Sequence, residues 1–316
     1  MSQENGHYMY YPGCSLKATS RAYGVSTEQV AKALGLTLQE IKDWNCCGAT
    51  EYFSIEMLPA YSLVARNLAL AAAEGSELIA PCSLCFLNLH KTDHNMKKHE
   101  KLNQQVGQSL KAGGLAYEPG SVRVRHLLNA IVEDVGFDAI KEKVKKPLQG
   151  LRLAPYYGCL ITRPYSDYSA EQPVHMDELI KTLGAEAVDY PTKTDCCGGH
   201  VTQISEETAY ELIHRILKSA QDARADAIVT ACPMCQLNLD AYQPQVNRMF
   251  NTKFDIPILY FTQVMGIALG LDGKALGIGS EIVSAGPVLK KIGQKPAAKP
   301  KKPKRRDKKA LPMPPK

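Results

Sequence analysis

The sequence predicts an α/β protein made of two pseudo-symmetric repeats, each a mostly parallel sheet with flanking helices. Three observations carry that expectation. The ten cysteines form two copies of one spacing: Cys14, Cys46-Cys47 and Cys82-x-x-Cys85, then Cys159, Cys196-Cys197 and Cys232-x-x-Cys235. The separations 46→196, 47→197, 82→232 and 85→235 are all 150 residues, whereas 14→159 is 145, so one unit is duplicated with a short length change near its start. Strand-like apolar runs alternate with helical periodicity in both copies, and 316 residues give room for two such units.

In chain order, residues His7–Tyr11 and Leu151–Tyr157 read as strands, each running through a glycine into a cysteine: YYPGC and YYGC. Thr27–Leu34 and Asp177–Leu183 follow as helices ended by Gly35 and Gly184. Extended stretches at Leu36–Ile41 and Ala187–Tyr190 lead into the two Cys-Cys-Gly loops. Longer helices come next, with Leu58, Tyr61, Ala65, Ala69 and Ala72 in one and Ala209, Leu212, Ile213, Ile216, Leu217 and Ala220 in the other recurring at helical spacing. Ser76–Ala80 and Asp226–Ala231 are the following strands, ending at PCSLC and ACPMC, after which LNL recurs at 87–89 and 237–239. Each half is therefore β-α-β-α-β and then a helix, a Rossmann-like arrangement. The expected divisions are 1–148 for the first repeat, 149–285 for the second and 286–316 for a Lys/Pro-rich tail.

A disulfide framework would suit a short secreted chain. No basic-then-apolar run or cleavage signature follows Met1, and the adjacent pairs Cys46-Cys47 and Cys196-Cys197 would meet disulfide geometry only with strain. The expected compartment is the cytoplasm, with thiols reduced or holding metal. The longest apolar stretch, Ile256–Leu271, is interrupted by Pro257, Thr262 and Gln263 and is too short and polar for a membrane span. The net charge of +6 conceals an uneven distribution, because residues 290–316 hold twelve Lys or Arg against one acid, Asp307. Taking that run from the chain's 38 basic and 32 acidic residues leaves 26 and 31, a mildly acidic body. The tail has too little apolar surface to fold and reads as disordered. Its charge suits at most a peripheral contact with an acidic partner or anionic lipid. Nucleic acid is not an expected partner, since the body offers no basic face with interleaved aromatics.

Every cysteine falls at the carboxyl end of a strand or just beyond it, the edge where open α/β sheets place ligands. Cys82-x-x-Cys85 and Cys232-x-x-Cys235 sit where helices begin, so free backbone N–H groups and the helix dipole would stabilise thiolates. Gly48 and Gly198 suit positive φ or close approach, and Pro81 and Pro233 would stiffen the loops. Thiolates select zinc, copper(I) or iron-sulfur clusters. A structural zinc site is complete with four ligands, and common ferredoxin clusters also take four at tighter spacings. Five per half favours a larger iron-sulfur unit.

The segments YYPGCSLK, DWNCCGATEYFS and APCSLCFLNL in the first half, with CCGGH and ACPMCQLNLD in the second, resemble the B-type subunit of heterodisulfide reductase over about residues 7–275. The resemblance implies two noncubane 4Fe-4S clusters, one held by Cys14, Cys46, Cys47, Cys82 and Cys85, the other by Cys159, Cys196, Cys197, Cys232 and Cys235. It implies a disulfide substrate between them, small or protein-bound, and two partners: a small iron-sulfur subunit of the C type and a flavoprotein subunit of the A type. Zinc in the first site is the alternative within that family. An opened disulfide takes two electrons, which two one-electron clusters would match. The functional alternative is an electron-relay or docking subunit for a succinate, fumarate, glycolate or lactate oxidoreductase.

No flavin or NAD is expected in this chain, because LGLDGKALGIG lacks the G-x-G-x-x-G pattern. His200, after the second Cys-Cys-Gly, is a candidate proton donor as well as an ordinary loop residue. Lys17 and Arg163 could anchor an anionic substrate, with surface placement the default. His90, His94 and His99 lie in Lys-rich surroundings that read as a solvated loop. Trp44, beside the Cys46-Cys47 pair, is expected to shield the site from water.

Overall fold

The structure is a computed structural model describing residues 6–49, 51–164 and 169–294. The first half runs β1 (His7–Tyr10), α1 (Gly13–Lys17), α2 (Arg21–Leu34), β2 (Thr37–Glu40), α3 (Glu51–Ile55), α4 (Met57–Ala72), β3 (Glu77–Ala80), α5 (Ser83–Lys98), α6 (Glu100–Ala112), β4 (Arg123–His126), α7 (Leu127–Ala130) and α8 (Phe137–Lys143). The second runs β5 (Arg152–Tyr156), α9 (His175–Thr182), β6 (Glu186–Ala187), α10 (Glu206–Asp222), β7 (Ala227–Thr230), α11 (Pro233–Ala241), α12 (Gln243–Phe250), β8 (Ile258–Tyr260), α13 (Phe261–Ala268) and α14 (Gly286–Leu289). Each half carries one four-stranded parallel sheet, in the order β2-β1-β3-β4 and β6-β5-β7-β8. Parallel strands covered by helices on both faces need apolar runs rather than alternation, and all four residues of β3 and of β7 are buried.

The α/β class and the duplicated parallel sheets agree with the sequence, but each sheet has four strands rather than three. The extra strands are β4 and β8. In β4, Arg123 and Arg125 give the sequence a charged look, yet Arg125 is almost fully buried and paired with Asp134 at 2.6 Å, Glu133 at 2.7 Å and Glu77 at 3.3 Å. β8 lies inside the apolar stretch that begins at Ile256, and α13 occupies most of the rest. Among the described residues no helix is long and apolar enough to cross a membrane.

Element ends differ in three places. α2 begins at Arg21 rather than Thr27: Gly24 looks like a breaker, but a side chain there would stand 3.1 Å from the Leu16 carbonyl, so the glycine permits α1 and α2 to touch. The extended stretch at 187–190 shrinks to the two-residue β6. Residues 286–294 do not belong to a disordered tail. They form α14 and a turn, with Gly293 N donating to Gln149 O at 2.8 Å and Lys291 paired to Asp226 at 2.6 Å. The rest of the expected tail, 295–316, lies outside the described residues.

α10 shows why its face is buried: Ala209, Ile213, Ile216, Leu217 and Ala220 are all fully covered, and each large aliphatic chain so placed contributes about 1.5–3 kcal/mol. Each half has its own inner cluster, but the largest apolar cluster crosses between them, joining Leu16, Tyr23 and Val30 to Tyr260, Phe261, Val264 and Met265. Across that seam Ser26 Oγ and Thr262 Oγ1 of α2 and α13 lie 2.6 Å apart. The two carboxyl edges are thereby fixed against each other.

Candidate metal centre

The strand orders set the location of the cysteines. The chain leaves β1 towards β2 on one side and returns to β3 on the other, so the crevice opens between the ends of β1 and β3, and likewise between β5 and β7. Cys14 follows β1 at the start of α1, Cys46-Cys47 occupy the loop after β2, Cys82 caps α5 and Cys85 stands in its first turn. The second half repeats this with Cys159 after β5, Cys196-Cys197 after β6, Cys232 capping α11 and Cys235 in its first turn. All ten thiols are free, and the structure brings each set of five together.

Within each set the sulfurs approach in pairs. Cys46 Sγ is 3.8 Å from Cys14 Sγ, Cys47 Sγ is 3.4 Å from Cys85 Sγ, and Cys197 Sγ is 3.5 Å from Cys235 Sγ. Cys159 likewise hydrogen-bonds to Cys196. Cys14, Cys46 and Cys196 reach the surface and Cys159 is half-buried, whereas Cys47, Cys82, Cys85, Cys197, Cys232 and Cys235 are buried. The sets meet where the thiols of Cys82 and Cys232 interact across the seam.

The surrounding shell is duplicated as faithfully as the thiols. Tyr11 donates its hydroxyl to Asn45 O and Tyr156 to Asp195 O, both at 2.7 Å, holding the residue before each Cys-Cys pair. Asn88 and Asn238, the central residues of the two LNL segments, donate to Cys47 O at 3.0 Å and Cys197 O at 2.9 Å; Asn88 also reaches Ala49 O at 2.7 Å. Gly13 and Gly158 have φ of +73° and +66°, and a Cβ on either would stand 2.9 Å from Cys85 Sγ or 3.1 Å from Cys235 Sγ. Gly48 and Gly198 take positive φ as expected. The repeated LNL and YY segments are visible in the sequence, but nothing there assigns Asn88, Asn238, Tyr11 or Tyr156 a task. The available signal is that these polar residues repeat along with the cysteines.

Thiol-to-thiol hydrogen bonds polarise each set. The bond from Cys159 brings Cys196 down to about 6. Bonds from Cys46 and Cys85 hold Cys47 well below the usual thiol range, and bonds from Cys235 and Cys82 do the same for Cys232. Cys85 and Cys82, the partners in these bonds, are pushed up, chiefly by the hydrogen bonds to Cys47 and Cys232. Buried thiolate at a helix N-terminus is a soft, electron-rich donor suited to iron, zinc or copper(I). Among the described residues, no three His, Cys, Asp or Glu side chains gather around a point that would hold one metal ion. The thiols are instead strung out in pairs, with glycines clearing the space beside Cys85 and Cys235. An all-sulfur donor set in that arrangement fits an inorganic unit of several metal atoms.

The weaker candidates have mundane surroundings. Lys17 pairs with Glu40 at 2.6 Å, and Arg163 pairs with Glu171 and donates to Thr194 O at 3.1 Å. Trp44 donates to Glu40 at 2.9 Å and meets Tyr11 edge-on at 5.4 Å. His90 and His94 lie on α5, not in a loop: their rings stack at 6.5 Å and His99 caps the helix, so the Lys-rich composition concealed a regular helix. His200 binds Glu51 of the other half, Nδ1 to Oε1 at 2.7 Å, beside Cys196.

Comparison with known proteins agrees with this arrangement. A family model described as a cysteine-rich CCG domain matches twice, at residues 8–90 and 153–240. The 8-methylmenaquinol:fumarate reductase membrane anchor subunit of Wolinella succinogenes is 33% identical over 281 residues, 88% of this chain and 97% of that protein. The B-type subunit of the ferredoxin:CoB-CoM heterodisulfide reductase of Methanosarcina mazei is 30% identical over 89% of this chain and 95% of its own length. A protein of Archaeoglobus profundus described as like the B-type subunit of heterodisulfide reductase is 29% identical over 84% and 91%. The crystal structure of a hypothetical protein from Helicobacter pylori shares the fold with a TM-score of 0.72 at 14% identity, covering 89% of this chain, which spans 53% of that one.

Proposed function

The chain belongs to the cysteine-rich CCG-domain family, and from that premise we propose that it is the catalytic subunit of a heterodisulfide reductase-like complex, reducing or forming a disulfide/thiol couple. The observation that carries this reading is the pair of complete five-thiol sets meeting at Cys82 and Cys232. Cys14, Cys46, Cys47, Cys82 and Cys85 would hold one noncubane 4Fe-4S cluster, and Cys159, Cys196, Cys197, Cys232 and Cys235 the other. When bound, each cluster would supply one electron and an iron site for a sulfur released from the substrate.

The chain's own part is positioning. Tyr11, Asn88, Tyr156 and Asn238 fix the Cys-Cys loops. The first turns of α5 and α11 offset the charge of the thiolates. His200, tied to Glu51, stands at the surface edge of the second set, where it would pass protons between solvent and a leaving thiolate. Electrons would arrive through a small iron-sulfur subunit from a flavoprotein subunit.

Anaerobically purified protein is expected to carry about eight iron and eight acid-labile sulfide, the content of two four-iron clusters; stoichiometric zinc without iron would overturn the reading. Cys197→Ser should lose the second cluster and keep the first. The similarity to the Wolinella anchor subunit favours a second reading, a relay to or from quinone. Mixing the reduced complex with disulfides and with a quinone separates the two: reoxidation by a disulfide supports the first, and reoxidation by quinone alone the second.

A further inference from the structure

The seam between the two sets holds a side chain that the proposed function leaves unused. Tyr23 of α2 is fully buried, and its hydroxyl lies 3.0 Å from Pro81 O and 3.3 Å from Ala231 O. Those carbonyls are 150 residues apart, the period of the repeat, and each directly precedes the cysteine that reaches across the seam, Cys82 or Cys232. The phenol therefore bridges the two halves and shares one proton between equivalent atoms of each. Its ring stacks on Tyr260 of the second half, centroids 4.3 Å apart and 3° from parallel.

Two more donors from the first half converge on the same Ala231 carbonyl. Ser83 Oγ, next to Cys82, is 3.4 Å away, and His126 Nε2, at the end of β4, is 3.3 Å away. The tautomer of His126 is settled by its neighbours: Nδ1 accepts from Leu128 N at 3.1 Å, which leaves Nε2 to donate. Burial keeps this imidazole neutral, bringing it down to about 4. It is a brace and not a proton donor to substrate. All three side chains are buried, so the hydrogen bonds exchange little with water.

We propose that Tyr23, seconded by Ser83 and His126, is a positioning residue that sets the separation of the two metal centres and thereby their electronic coupling. The inference rests on the two-cluster reading. A loop that carries a ligand is oriented by hydrogen bonds just outside it, and here one oxygen orients the loops of both centres at once. Two electrons must reach one bond, so a fixed gap between the one-electron donors is what makes their delivery concerted.

Tyr23→Phe removes the oxygen and keeps the ring stacked on Tyr260. Tyr8→Phe is the control, a buried phenol that donates to Asp134 of its own half at 2.6 Å and not to the carbonyls beside Cys82 and Cys232. The full chain is loaded with iron and sulfide, reduced with dithionite and examined by electron paramagnetic resonance, with iron and sulfide counted in parallel. The expected result is full metal in all three proteins, a spin–spin interaction in the wild type and in Tyr8→Phe, and an interaction weakened about twofold or more in Tyr23→Phe. Full metal with an unchanged interaction in Tyr23→Phe overturns this inference alone. A wild-type protein without iron overturns the functional reading and takes this inference with it. Should Tyr23→Phe lose metal, Ser83→Ala, which removes one donor from the same carbonyl, is read in the same way: a weakened interaction supports the inference and an unchanged one overturns it.

Discussion

Replacing Asn88 or Asn238 with leucine tests whether the polar shell shapes each thiol set. Leucine keeps asparagine's branched skeleton and suits a helical position, so the change removes the hydrogen bonds, while its bulkier methyls add a similar overpacking cost at both sites. Asn238 serves one buried carbonyl, Cys197 O. Leaving such a group unsatisfied costs about 1–3 kcal/mol. Asn88 serves the corresponding Cys47 O and also Ala49 O, which is only part-buried and regains water when its donor is lost. Its removal should therefore cost about 2–4 kcal/mol, the buried penalty plus the roughly 1 kcal/mol of an ordinary hydrogen bond. Either sum is a large share of the roughly 5–15 kcal/mol that holds a typical domain together. Urea titration of the metal-free protein gives these differences as midpoint shifts at constant slope. Iron analysis should show Asn88→Leu failing to load the first centre and Asn238→Leu the second. Equal midpoints to wild type with full metal in both variants would refute the reasoning, and a larger loss for Asn238→Leu would refute the difference drawn between them.

Gly13→Ala and Gly158→Ala should each deplete one metal centre, since the added methyl meets Cys85 Sγ or Cys235 Sγ and the positive φ adds about 1–2 kcal/mol of strain; full iron in both would count against the cleared space. Arg125→Met should destabilise the fold by about 3 kcal/mol, the low end for a broken buried ion pair, because buried Glu77 then keeps only the largely exposed Arg123 as its partner; calorimetry checks it. Acid sensitivity follows from Asp134. Burial alone would raise its carboxyl, but hydrogen bonds from Arg125 and Tyr8 outweigh that and hold it below the usual carboxylate range. A depressed folded value means the stabilisation is complete above the unfolded carboxylate value of about 4 and is lost as pH falls through the folded value. Urea midpoints measured from pH 7 down to pH 3 should fall less steeply in Tyr8→Phe than in wild type, and parallel curves would contradict the assignment.

The thiol positions were legible because metal chemistry leaves few residue types to choose from and the duplication printed them twice. Helices α4 and α10 were legible from their apolar period. β4 was not, because Arg125 advertises a surface while three carboxylates from elsewhere in the first half neutralise it, and a pattern read along the chain does not see partners across it. The start of α2 was hidden for a related reason. Gly24 weakens a helix in isolation, and its value lies in the close contact with Leu16. Tyr23 carried no signal along the chain, because its importance comes from a seam that exists only once the halves have packed.

A single side chain that bridges equivalent atoms of two repeats is possible only when the repeats are not identical. Two identical subunits arranged like these halves would bring two copies of Tyr23 to the space that one phenol occupies, and both would not fit between Pro81 O and Ala231 O. Joining the repeats in one polypeptide frees the two copies to diverge, so that one supplies the hydroxyl and the other, through Tyr260, the surface it lies against. The duplicated cysteines keep the record of equality between the halves, and the tyrosine at their seam marks where that equality had to end.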